Sequence, residues 1–218
     1  LFKISSFITP GFLGIILGAM IRGSITLSTT TGFYEKFILP WLNPFCFVMG
    51  LFSIFIFAYI SAVFLVGETR ENNERIKYSL LSKRFMIITL LLGMLVFFIA
   101  QVDGLPLFTE FIHSGLSVSM FLLTFILCPV IWFFLNREHH KTLQLRIAIG
   151  IQISSILIGW FYIQFPILIR IKEGDDLTFY NTQAPAATLE QLLIALGVGL
   201  ILIVPSFIYL FKVFKIKA

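Results

Sequence analysis

Charge is scarce in this chain. Acidic and basic residues make up 12% of its 218 positions, about half the share carried by an ordinary water-soluble domain. Histidine occurs three times and cysteine twice. No CxxC, HExxH, GxGxxG or Walker pattern is present, which excludes the common zinc sites and nucleotide-binding loops. Cys46 and Cys128 both fall inside apolar runs and read as buried thiols, not as a disulfide framework. No internal repeat, low-complexity tract or Pro/Ser-rich linker divides the sequence. The stretches between apolar runs reach little more than roughly twenty residues, too short to hide a soluble catalytic domain. Any chemistry must therefore sit in or against a membrane.

What the chain does have is hydrocarbon. Hydrophobic residues fill 58% of it and 26 are Phe, more apolar surface than a soluble fold of this size can bury. They group into six runs: Ile4 to Ile21, Phe45 to Val66, Phe85 to Ala100, Phe111 to Leu135, Ile147 to Ile169 and Leu192 to Phe211. Each is near the ~20 residues that a helix needs to cross a bilayer. None alternates with period two, so a barrel is excluded and each run is predicted to be helical, satisfying its own backbone hydrogen bonds in lipid. The expected fold is all-α, a polytopic membrane bundle of about six transmembrane helices, with residues 1–218 forming a single transmembrane domain. The chain opens at Leu1 without a basic n-region or cleavage site, so its first run reads as a membrane helix and not a signal peptide; further helices are expected upstream.

The formal charge of +5 is explained by topology and implies no nucleic-acid partner. Lys3, Arg70, Arg75, Lys77, Lys83, Arg84, Arg137, Lys141, Arg146, Lys212, Lys215 and Lys217 fall on one side of the alternating runs. Only Arg22, Lys36, Arg170 and Lys172 fall on the other. The positive-inside rule then puts both ends of the chain in the cytoplasm.

Within the runs, Gly11, Gly14 and Gly18 form a small-residue face, with Gly14 and Gly18 in GxxxG spacing, that admits a close neighbouring helix or serves a dimer. Gly197 and Gly199 suit a similar contact, while Pro129, Pro166 and Pro205 mark expected kinks. No charge lies at the centre of any run. Asp103, Glu110, His113 and Glu190 stand at the outer ends, either as solvated helix-end groups or as a proton exit or partner contact. Gln152, Ser154, Ser155 and Gln164 are the deepest polar groups and read as inter-helix hydrogen-bonding residues or, alternatively, as lining a substrate route. His139 and His140 occupy a polar loop, which leaves no axial pair for an intrinsic haem, and His113 is about one turn into its run. The loop from Gly67 to Arg84 is amphipathic, with Glu71 and Arg75 at i,i+4 spacing, and suits a short surface helix.

Three stretches carry a resemblance. "WLNPFCFVMGLFSIFIFAYISAVFLVGET", with Trp41, Asn43, Pro44 and Gly50, then Ala62, Leu65 and Thr69, resembles subunit II of cytochrome bd quinol oxidases. "FITPGFLGIILGAMIRGSI" is similar to that family's Gly-rich span, and "YNTQAPAATLEQLLIALGVGLILIVPSFIYLFKVFK" to its closing span, with Thr188, Leu189 and Pro205. The middle, residues 80 to 170, matches only in hydropathy. Where the family has Gly-Glu-Leu after the Thr, this chain has Arg70-Glu71-Asn72. The family's leading helices, with the acidic residue implicated in a proton route, have no counterpart, so the chain resembles the C-terminal two thirds of such a subunit.

The resemblance implies a subunit of the bacterial cytoplasmic membrane that binds no haem or metal itself. It would pack against a larger haem-bearing subunit I in a complex that oxidises quinol and reduces oxygen to water. A structural quinone or lipid between helices is compatible with the Phe-, Leu- and Gly-rich faces. A small transporter or an enzyme-less scaffold is the alternative, the former requiring broken helices in corresponding halves.

Overall fold

A computed structural model of the chain describes residues 2–26, 28, 32–69, 71–136 and 142–216. Arg70, Arg137, Glu138, His139, His140, Lys141 and Lys217, on which parts of the charge and ligand readings rest, lie outside the described residues, as do the side chains of Lys3 and Lys215. The described residues form helices α1 (Phe2–Arg22), α2 (Phe33–Phe37), α3 (Pro44–Glu68), α4 (Asn72–Val102), α5 (Leu107–His113), α6 (Gly115–Asn136) and α7 (Thr142–Gln164). Strands β1 (Ile167–Ile169) and β2 (Leu177–Thr178) follow, then α8 (Ala186–Ile216). Six of the helices are long and apolar enough to cross a membrane, as the six runs predict. The first compact unit is Leu1–Thr178 and the second Phe179–Ala218.

The helix ends follow local chemistry. Gly23, at φ +70°, terminates α1 in the left-handed region that a glycine occupies without strain. Asn43 starts α3: its side-chain oxygen accepts from the Cys46 backbone N–H at 2.9 Å, and Pro44 occupies the first helical position, where no N–H is needed. At the other end the Thr69 hydroxyl donates to the Leu65 carbonyl at 2.8 Å. Between α5 and α6, the Ser114 hydroxyl oxygen accepts from the Ser117 backbone N–H at 3.3 Å.

Three boundaries differ from the sequence reading. The expected short surface helix near Glu71 is continuous with the following span. Of α4's 31 residues, those from Asn72 to Arg84 are polar enough to leave the bilayer yet form one rod about 46 Å long with the rest. The expected span from Phe111 to Leu135 is broken at Ser114, so His113 ends α5 and does not lie inside a membrane helix. The span expected to reach Ile169 stops at Gln164. Pro166 follows the helix and kinks nothing, and its apolar neighbours become β1, antiparallel to β2. Pro129 and Pro205 do lie inside helices, α6 and α8.

Packing in the first unit is tightest where α1 crosses α3. A Cβ on Gly14 would overlap the Met49 carbonyl oxygen and lie 2.8 Å from Gly50 Cα; one on Gly50 would lie 3.0 Å from the Gly11 carbonyl. The GxxxG face thus serves a contact within the chain. Two apolar clusters fill the interior. One holds Tyr59, Val63, Met86, Cys128, Ile131 and Leu145, drawn from α3, α4, α6 and α7. The other gathers Ile21, Phe45, Cys46, Met49, Val96, Leu107 and Ile163 around α1, α3 and α5. In the second unit, α8 carries an exposed apolar surface, and the space beside Gly197 and Gly199 is open.

Candidate functional site

One buried amide in the first unit has both its polar atoms bonded to other helices. Gln152 on α7 is buried, and its side-chain oxygen accepts from the Tyr59 hydroxyl at 2.9 Å. Its amide nitrogen donates to the Thr124 carbonyl at 3.3 Å and to Cys128 Sγ at 3.2 Å. One amide therefore joins α3, α6 and α7, as expected for a polar residue held between membrane helices. Ser117 adds a bond from α6 to the Gly159 carbonyl of α7 at 3.0 Å. Ser155 bonds back to Ile151 in its own helix, and Ser154 is exposed. Gln164 has both side-chain polar atoms buried without a partner.

Beside this node, α3 to α7 line an apolar cavity of about 530 Å³ that opens at the exposed side chains of Met94, Phe98 and Phe125. Phe97, Phe111 and Phe121 line it as a three-ring cluster, with Phe111 and Phe121 edge-to-face at 4.9 Å. Gly159 leaves room for the Phe121 ring, since a Cβ there would approach it to 3.0 Å. The cavity wall carries one buried, unpartnered hydroxyl, that of Thr89, which is 6% exposed. Gln101 lies at its outer end. Largely apolar space with few hydrogen-bonding groups, chiefly the Thr89 hydroxyl and the Gln101 amide, suits a lipophilic chain or ring carrying one or two polar atoms.

Two of the three acidic residues at the outer ends, Asp103 and Glu110, are ion-paired and not plain solvated groups. Arg22 pairs with Asp103 at 3.3 Å, joining α1 to the end of α4. One Arg170 nitrogen donates to both Glu110 oxygens, at 2.7 and 2.8 Å, joining α5 to the segment after β1. The Arg170 backbone N–H donates to the Met20 carbonyl and that of Lys172 to the Ile25 carbonyl, so the same segment is tied to the end of α1. Two of the four outer basic residues are thereby neutralised. His113 is exposed and its Nδ1 donates to the Thr109 carbonyl at 2.7 Å; Glu190 is exposed on α8.

The residues that carried the family resemblance fall at structural positions. Trp41 donates to the Phe37 carbonyl at 2.7 Å, Asn43 and Pro44 begin α3, and Gly50 makes the α1 crossing. Ala62 is buried, and the Thr69 carbonyl accepts from Arg75 at 3.0 Å. Thr188 and Leu189 donate to the Pro185 carbonyl in the first turn of α8, and Pro205 lies within that helix.

The described residues contain no cluster of three or more His, Cys, Asp or Glu side chains that could hold a metal ion, and the buried Met49 and Met86 belong to different clusters. A family model, that of cytochrome bd terminal oxidase subunit II, matches residues 1–214. The chain belongs to this family. The fold agrees: a chain of the bd oxidase from Geobacillus thermodenitrificans superposes with a TM-score of 0.74 at 20% identity, covering 97% of the present chain and 62% of the other. The chain thus spans less than two thirds of that relative's length. None of the curated proteins matches it in sequence. The cavity at Thr89, like the Arg170–Glu110 and Tyr59–Gln152 pairings, is a feature of the site that reading the sequence missed. A threonine in a Phe-rich run gives no signal of being unpaired.

Proposed function

We propose that this chain is the haem-free subunit of a quinol:oxygen oxidoreductase complex, packing against and stabilising a larger haem-bearing subunit I. The match to the subunit II family over residues 1–214 carries this reading. Its physical support is the division of polarity: the deepest bonded amide is spent on helix contacts, and α8 offers an exposed apolar surface from Leu192 to Leu210, interrupted by Ser206, to a neighbour in lipid. In this reading the entire chain acts as one transmembrane domain of the bacterial cytoplasmic membrane, with both ends in the cytoplasm. Catalysis belongs to the partner, and a structural quinone or lipid occupies the Thr89 cavity. The transporter alternative is not supported at its prolines, because Pro166 lies outside α7 and the helices around Pro129 and Pro205 are continuous.

Purification in mild detergent should bring down a larger subunit with a Soret band, and the isolated chain should lack that band. Stoichiometric haem on this chain alone would overturn the proposal. Thr89→Val should lower the amount of quinone or lipid retained by the complex; unchanged retention would exclude the cavity as its site.

A further inference from the structure

At the basic end of the bundle, Lys83 stands where α4 passes from its polar to its apolar part. Its ammonium donates to the Asn136 side-chain oxygen and lies 5.5 Å above the Trp132 ring. Both partners are neutral, and among the described residues Lys83 enters no ion pair. An ammonium has three N–H donors, so hydrogen-bonding capacity and a whole positive charge remain. Below it, α4 and α6 diverge around a groove of about 400 Å³ walled by Ile87, Pro129, Trp132 and Phe133 and capped by Asn136. Ile87 and Phe133 are exposed. From Asn136 to Pro129 the groove descends about 10 Å along α6, most of the depth of one leaflet's hydrocarbon.

We propose that this groove binds one anionic phospholipid, its phosphate on Lys83 and one acyl chain between α4 and α6. The chemistry selects this occupant. A cation with no counterion among the described residues sits over an interfacial tryptophan at the level where headgroups lie, and the apolar channel continues into hydrocarbon. A zwitterionic lipid brings its own ammonium to the phosphate and gains less from Lys83, whereas an anionic one supplies the missing charge. The inference rests on the membrane setting and holds whichever subunits copurify with the chain to form the complex.

The test is native mass spectrometry of the complex purified from its own membrane. One anionic phospholipid should survive delipidation. Lys83→Gln should weaken its retention about fivefold, the factor that one lysine is worth near an anionic surface, while Lys83→Arg should keep it. In a second arm, the unaltered complex is placed in nanodiscs with brominated phosphatidylglycerol or brominated phosphatidylcholine. The former should quench more strongly, and Trp132→Phe should remove the difference. Equal retention in Lys83→Gln, equal quenching by the two lipids, or a Glu138 carboxylate found on Lys83 would overturn the proposal. The quenching arm still decides if the Lys83 variant fails to assemble.

Discussion

Replacing Gly14 by alanine tests the packing argument most sharply. The added methyl would overlap the Met49 carbonyl oxygen, 2.5 Å from Ser53 Oγ and 2.8 Å from Gly50 Cα. Carbon contacts are comfortable at about 3.5–4.0 Å. Two of the three obstacles are backbone and cannot rotate away, so α1 must retreat from α3 by several tenths of an ångström. A gap of that size forfeits a quarter or more of the dispersion energy of each contact it opens, and here it opens them along the whole seam from Gly11 to Gly18. Overpacking costs about 1–3 kcal/mol, and rigid obstacles put this case in the upper half. Alanine's helix propensity returns up to ~1 kcal/mol, leaving a net loss of about 1–2 kcal/mol. For a chain of this length that lowers the melting temperature by roughly 2–8 °C. Gly150→Ala is the control, since it lies within α7 with nothing within 4 Å of its added Cβ; it should be neutral or slightly stabilising. The assay is thermal unfolding of the detergent-solubilised complex followed by tryptophan fluorescence. Equal melting temperatures for the two variants would refute the claim that the α1–α3 crossing depends on the missing Cβ.

Other outcomes follow from the same structure. Tyr59→Phe should cost about 0.6–1.7 kcal/mol, and a double-mutant cycle with Gln152→Leu should show that most of this is shared; independent effects would remove the node. Arg170→Ala should cost about 1 kcal/mol and speed proteolysis of the segment between Gln164 and Thr178, whereas Lys172→Ala should do neither. A fluorescent protein that matures only in the cytoplasm should glow when fused after Ala218, and a phosphatase inserted at Gly174 should be active; the reverse pattern would invert the topology.

Much of the architecture was legible because hydrocarbon length and backbone satisfaction leave few choices. The Gly11–Gly14–Gly18 face was visible for the same reason, since small residues at helical spacing have few other uses in lipid. What was hidden depended on partners distant in sequence. Nothing near Glu110 announces Arg170, and nothing near Gln152 announces Tyr59. The overlong fifth span arose because Phe165 to Ile169 is as apolar as the helix before it. Pro166 was the available signal, and it marks the helix's end more faithfully than a kink. The polar start of α4 was misjudged because a helix continuing beyond the bilayer no longer shows the composition of a span.

Gln152 also acts as a gauge of alignment. Its oxygen and nitrogen face different neighbours, so sliding α7 by a single position would swing the amide about 100° around the axis and present isoleucine to Tyr59. Mispaired arrangements of these helices, which greasy side chains alone would tolerate, each strand a carboxamide in fat. The bundle therefore carries an internal check on its own assembly, written in one side chain.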